Sequence, residues 1–364
     1  MGTVMTITPA QAPELILDIM RPGHVAMLTS SPGVGKSSIA RQIAKENNLK
    51  LIDVRLSQCD PTDLGGFPTV DLEAGKAGYL PMNTFPIQGD PIPLHTDEDG
   101  ECFPEELDDK GNDKNQYSGW LLLLDEFNSA PISVQAAAYK IVLDKQVGMH
   151  KLHKRVAIIC AGNLDTDRAI VNRLSTAMQS RLIHLQLECS HRDWMDWAAS
   201  SGIDYRVTSY LNFKKEDLHS FDPTHSDKTF ACPRTWEFLS DIIKPFTHIR
   251  ANKTPLILGT IGEGVGTAFV TFCAIFDELP TIKEILLNPT GVQLPTEPSI
   301  SYAVTGLIAN NIDAANAGTL MPFIDRLAIE FQIILLRGAI KIDPSLVHIP
   351  AVQGWVSKNA QHLC

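Results

Sequence analysis

Ser30-Ser31-Pro32-Gly33-Val34-Gly35-Lys36-Ser37-Ser38 follows directly on a short apolar run, His24–Thr29, and opens an amphipathic stretch, Ser37–Asn47. A loop that binds phosphate needs successive backbone N–H groups wrapped around an anion, which glycines permit through their φ freedom. It also needs a lysine to reach the phosphate oxygens and a Ser or Thr hydroxyl for Mg²⁺. Gly33, Gly35, Lys36 and Ser37 meet those needs, and the strand–loop–helix setting fits them. Ser31, Pro32, Gly33, Val34, Gly35, Lys36, Ser37 and Ser38 are therefore the candidate cradle for ATP, with Ser37 a candidate Mg²⁺ ligand. The pattern departs from the usual one at its first glycine, where Ser30 stands.

Working outward, the runs Leu51–Leu56, Trp120–Leu124, Val156–Ala161 and Leu182–Leu187 are each short and rich in leucine or β-branched residues. Such runs suit strands covered on both faces, as in a parallel sheet. Helical patterns lie between them, at Ser37–Asn47, Ile132–Leu143 and Ala169–Ser180. In the second, Val134, Ala138, Ile141 and Val142 share one face and Pro131 stands in the first turn. Alternation of this kind predicts an α/β sheet. The run Trp120–Leu124 ends in Asp125-Glu126, so a buried strand presents two carboxylates at its C-terminal edge: Asp125 for the Mg²⁺ shell, Glu126 to polarise an attacking water. Ala161-Gly162-Asn163 ends the next run, where the Asn163 amide can orient that water and sense the γ-phosphate.

Beyond about residue 190 the strand-like runs vanish. Helices are predicted at Arg192–Ser200, Tyr205–Leu211, Arg234–Ile243 and Thr260–Phe276, and a strong apolar one at Met321–Gly338. Residues 71–118 are long, rich in Pro, Gly and acid, and poorly periodic, which predicts an insertion with room for one hairpin. The division expected is an α/β core over 1–190 with that insertion, a helical part over 191–287, and a C-terminal helical extension over 288–364 after the Pro/Thr-rich stretch Asn288–Pro298.

The order of these motifs resembles the MoxR-type AAA+ ATPases over roughly residues 15–245. The elements that carry the resemblance are the phosphate loop, Ser57-Gln-Cys-Asp60-Pro61-Thr-Asp63-Leu64-Gly-Gly66-Phe-Pro68, Leu-Asp-Glu-Phe-Asn128-Ser-Ala130-Pro131, Ala-Gly-Asn, and Leu174-Ser-Thr-Ala177-Met-Gln-Ser-Arg181. The resemblance implies a P-loop NTPase module with a parallel five-stranded core and an α-helical lid. It implies a ring, usually a hexamer, whose ATP hydrolysis remodels a protein client in the manner of a motor or chaperone, the client often carrying a von Willebrand A domain. It implies an arginine finger at Arg181, with Arg168 and Arg173 as competitors, and a lid arginine at Arg234 in Cys-Pro-Arg234-Thr-Trp236. A finger supplied in trans makes hydrolysis depend on the neighbouring subunit. In such rings the stretch Lys145–Arg155, expected as a hairpin, can face the central pore.

Composition narrows the alternatives. At about 150 residues per domain, 364 residues suggest two to three domains, and 44% apolar with 20% charged residues is ordinary for a globular chain. The net charge is −11, and Asp97–Asp113 alone supplies −8 of it through nine acids and one lysine. A chain-wide basic footprint for nucleic acid is absent, so nucleic acid is not an expected partner. Seven scattered cysteines without a Cys-x-x-Cys pair predict reduced thiols in a cytoplasmic protein. The N-terminal residues lack the basic start and apolar run of a leader. The most apolar window, Leu256–Phe276, contains Glu263 and four glycines and predicts a buried helix rather than a membrane span. Three rivals remain: a nucleic-acid-stimulated AAA+ motor subunit of translocase or restriction type, a slow nucleotide switch, and, least favoured, a small-molecule kinase. The acidic pair argues against the switch.

Overall fold

A computed structural model describes residues 5–359 except 72, 74, 98–100, 104–105, 108–112, 168–171 and 225–226. The chain forms two units, Met1–Cys189 and Ser190–Cys364. The first contains, in chain order, β1 (Thr6–Ile7), α1 (Ala12–Met20), β2 (Val25–Ser30), α2 (Lys36–Glu46), β3 (Leu49–Arg55), α3 (Pro61–Gly65), β4 (Phe67–Asp71), β5 (Lys76–Leu80), β6 (Gly119–Asp125), α4 (Ile132–Asp144), β7 (Gln146–Val147), β8 (His150–Lys151), β9 (Val156–Asn163), α5 (Thr176–Gln179) and β10 (Leu182–Leu187).

The main sheet has the order β1-β10-β2-β9-β6-β3, and every neighbouring pair is parallel. Its continuous apolar strands follow from burial on both faces. Leu121 to Leu124 are fully buried. Leu122 and Leu124 pack with Val134, Ala138, Ile141 and Val142 of α4, while Leu121 and Leu123 pack with Ile39, Ala40 and Ile43 of α2. Each such leucine, isoleucine or valine contributes about 1.5–3 kcal/mol by leaving water. The five strands from β10 to β3 form the expected core, and the loop that begins at Ser31 leaves the C-terminal end of β2, an inner strand between β10 and β9. A parallel sheet covered by helices on both faces is the α/β core that the sequence predicts. Strand β1 adds a sixth member at the edge, pairing Thr6 with Gln186.

Two hairpins leave this core. In β4–β5, Phe67 stands opposite Leu80 and both are exposed. In β7–β8, within the stretch 145–155, Val147 pairs with His150 around Gly148, and Met149 at the tip is exposed. His150 Nε2 lies 2.9 Å from Tyr79 O, which ties the two hairpins together. The helix predicted over 169–180 is cut down to α5. Residues 169–171 lie outside the described residues, 172–175 are not helical, and Ser175 caps the short helix by accepting from Met178 N–H at 3.3 Å.

The second unit is helical among its described residues: α6 (His191–Ser200), α7 (Tyr205–Phe213), α8 (Pro233–Ile243), α9 (Thr254–Ile261), α10 (Glu263–Ala274), α11 (Ile282–Leu287), α12 (Pro298–Ala309), α13 (Ala317–Ile324), α14 (Ile329–Ile342) and α15 (Pro350–Asn359). Two predicted helices are broken. That over 260–276 is interrupted at Gly262, which separates α9 from α10. That over 321–338 is interrupted at 325–328, where Arg326 donates to Pro289 O and Val292 O, both at 2.9 Å, and Gln332 Nε2 donates to Leu327 O at 2.7 Å. A buried ion pair joins Arg206 to Asp204 at 2.7 Å, and Arg206 also donates to Ile243 O and Phe246 O at the end of α8. Among the described residues, no helix is long and apolar enough to cross a membrane.

Candidate active site

Parallel pairing aligns the ends of β2, β9 and β6, and the predicted polar residues stand at those ends. Ser30 pairs with Asn163, and Arg55 of β3 with Asp125. The loop Ser31–Gly35 then turns into α2 through Gly35, whose φ of +109° is accessible essentially to glycine alone. Lys36 and Ser37 thereby occupy the first turn of α2, where free N–H groups and the helix dipole favour an anion.

The side chains are held by one another. Lys36 Nζ donates to Ser30 O at 3.1 Å, to Ser30 Oγ at 3.0 Å and to Asn163 Oδ1 at 3.2 Å. Ser30, the departure from the usual pattern, thus contributes two acceptors to the lysine. Ser37 Oγ donates to Asp125 Oδ2 at 2.8 Å, and Asp125 Oδ1 accepts from Glu126 N–H at 2.7 Å. Glu126 sits at φ +55°, a left-handed position where the chain turns sharply out of β6, and its carboxylate accepts from Ser57 Oγ. A third carboxylate, Asp53 on β3, stands nearby: partial desolvation first, then the charge of Asp125, raise its pKa, while Arg55 and Arg41 oppose them.

Behind this front lies an amide node. Asn128 is 5% exposed. Its Nδ2 donates to Asn163 O at 2.7 Å, and its Oδ1 accepts from Asn163 N–H at 3.0 Å. Asn128 O accepts from Asn172 N–H at 2.6 Å, and Asn172 Nδ2 donates to Ala130 O at 2.8 Å. Gly162 leaves room for the node: a Cβ there would stand 2.4 Å from Asn128 Oδ1 and 2.7 Å from Met27 Cε.

Of the predicted residues, the structure gathers Ser31–Ser38, Asp125, Glu126 and Asn163 around the ends of β2, β6 and β9. Arg181 lies exposed at the entry to β10 and donates to Ala177 O at 2.9 Å. Arg173, also exposed, lines a cavity of about 700 Å³ that it shares with Asn128, Asn163, Asp165 and His184. Arg168 lies outside the described residues. Arg234 belongs to the second unit, exposed in the first turn of α8, whose start is capped by Thr235 Oγ1 accepting from Cys232 N–H at 2.8 Å. Ser57, Asp53, Asn128 and Asn172 were not singled out from the sequence as site residues. Asp53 leaves a local trace there, an acid in the middle of a strand run, and Ser57 and Asn128 stand in the motifs that carry the family resemblance.

The donor set suits a nucleotide with a hard divalent cation: an ammonium, a hydroxyl and a carboxylate converge on a helix N-terminus. Among the described residues, no group of three or more His, Cys, Asp or Glu is placed to hold a metal ion. The Ser37–Asp125 pair is instead of the kind that shares an ion with phosphate oxygens.

No protein-family model matches the chain, and no curated protein matches it. Solved structures do. One is a candidate ATPase from Cytophaga hutchinsonii, at 13% identity and a TM-score of 0.34, over 99% of this chain and 91% of that one. Another is a proline-to-glycine variant of Thermotoga maritima RuvB, at 15% identity and a TM-score of 0.37, over 87% of this chain and 85% of that one. Similarity this loose is silent on chemistry, which rests on the geometry above.

Proposed function

We propose that the chain is a Mg²⁺-dependent ATPase of MoxR-like AAA+ type that assembles as a ring, of hexamer size, and uses hydrolysis to remodel or activate a protein client. The observation that carries it is the convergence of Lys36, Ser37, Asp125 and Asn163 at the C-terminal ends of three adjacent parallel strands. Lys36 and the N–H groups of the loop Ser31–Ser38 would bind the phosphates. Ser37 and Asp125 would hold Mg²⁺, which supplies charge neutralisation on the phosphate oxygens. Glu126, once released by Ser57, would accept a proton from the attacking water, and Asn163 would orient that water.

Arg181 is the proposed finger toward a neighbouring subunit, and Arg234 the proposed lid arginine. Support for a protein client is the exposed apolar surface of Phe67, Leu80 and Met149 on the two hairpins, the kind of surface that marks an interaction site. A client with a von Willebrand A domain is the class the family resemblance suggests.

The test is ATP turnover in mixed assemblies. Arg181→Ala subunits retain an intact phosphate loop, and Lys36→Ala subunits retain the finger. Each alone should be nearly inactive, and their mixture should recover part of the turnover at mixed interfaces. Absence of ATP hydrolysis by the wild type overturns the ATPase function. Co-assembly without recovery moves the finger to Arg173 or Arg168. Stimulation by DNA, with none by protein, would favour the nucleic-acid motor instead.

A further inference from the structure

We propose that Asn128 is a positioning residue for hydrolysis, a buried amide that sets where Asn163 stands at the phosphate loop. This role presupposes the ATPase function proposed above.

Strands β6 and β9 pair in register from Trp120–Val156 to Leu124–Cys160. Continued, that ladder would bring Phe127 opposite Asn163. It does not continue, because the chain leaves the sheet at Glu126 with φ +55° so as to present the acidic pair. The β6-facing side of Asn163 is therefore left without a backbone neighbour. Its N–H and C=O are instead met by one carboxamide, that of Asn128, at 3.0 and 2.7 Å, the two-bond exchange that a hydrogen-bonded antiparallel pair makes. On its other side Asn163 is paired with Ser30 of β2. Asn128 is itself fixed, since its carbonyl is engaged by Asn172 N–H and its side chain is buried. One side chain thus transmits the position of the acidic turn to the residue whose Oδ1 touches Lys36 Nζ.

Placement matters at this scale, because displacement of a reacting group by about 1 Å can cost on the order of 10² in rate. A residue that only stabilised the fold would change the melting temperature and leave turnover per folded molecule intact. A residue that acts through Asn163 should lose its influence once the Asn163 amide is gone.

The experiment measures kcat and the affinity for a fluorescent ATP analogue in the full-length protein, for Asn128→Ala, Asn163→Ala and the double variant. Asn128→Ala should lower kcat roughly 10- to 100-fold, with nucleotide affinity changed less than about threefold, since the phosphate contacts of Lys36 remain. The double variant should turn over within about threefold of Asn163→Ala alone, the non-additivity expected of two residues acting as one device. Multiplying effects, or a kcat for Asn128→Ala within threefold of wild type, overturn the proposal. Should Asn128→Ala fail to fold, Asn128→Asp keeps the size and the Oδ1 acceptor and discards the donor. It should still lower kcat at preserved nucleotide affinity, and wild-type turnover in it is equally fatal. A wild type that binds and hydrolyses no ATP sinks the ATPase function instead, and is distinguishable from either result.

Discussion

Two polar clusters with similar bonds behave differently in kind. In the second unit, Arg206 is 4% exposed and spends its donors on Asp204, Ile243 O and Phe246 O. Burial opposes its charge, but the hydrogen bonds and charge of Asp204 outweigh that and raise its pKa. Every partner of that guanidinium is part of the chain and stays with it. In the first unit, Lys36 rests on Ser30 and Asn163, Ser37 on Asp125, and Glu126 on Ser57. These groups lie at strand ends and a helix N-terminus, and each could exchange its present partner for a phosphate oxygen, a cation or a water. Saturation by permanent partners builds structure; saturation by replaceable partners stores a site.

That contrast can be broken by substitution. Glu126→Gln should keep nucleotide binding and lower turnover on the order of 10³-fold, the scale of a lost general base, as a phosphate-release assay would read. Arg206→Ala should show the opposite profile. It leaves the Asp204 carboxylate buried and unpaired, a loss of about 3–5 kcal/mol of stability, seen as a lower melting temperature. A merely catalytic defect there would erase the distinction between the two clusters. Lys36→Ala should weaken ATP roughly 100-fold, about 2.7 kcal/mol, in a fluorescent-nucleotide titration. Equal affinity in variant and wild type would remove the phosphate-loop assignment. The smallest effect belongs to Ser57→Ala, which frees Glu126 from a replaceable partner. Basal turnover should rise by roughly tenfold, the lower end of the scale of one hydrogen bond to a charged group, and a fall would show that Ser57 assists rather than restrains Glu126.

The features legible in the sequence were those encoded locally. Strands β2, β6 and β9 announce themselves because burial on both faces demands apolar runs, and the phosphate loop and acidic pair are contiguous. β1 is only Thr6–Ile7, too short to show a pattern, and owes its existence to pairing with β10. The periodicity of 321–338 was real, but Arg326 found carbonyls 34 and 37 residues away and cut the helix there. Likewise, the helix forecast at 169–180 does not include 172–175, where Asn172 is engaged by Asn128 and Ala130. Ser57 and Asn128 stand in the motifs that carry the family resemblance, but their roles are not legible there: their partners lie 69 and 35 positions along the chain, and the contacts form where Glu126 adopts a left-handed turn.

The last rung on the β6 side of β9 has a consequence for how this protein can change over generations. Rungs made from backbone are indifferent to most mutations, since nearly every residue offers the same N–H and C=O. Here the rung is a carboxamide, specified by a codon, and Gly162 must stay small to admit it. A single base change at position 128 can therefore retune the join between two strands without touching either of them. A side chain at 162, by contrast, would run into both Asn128 and Met27. The site thus carries an adjustable screw in a frame whose other joins are backbone.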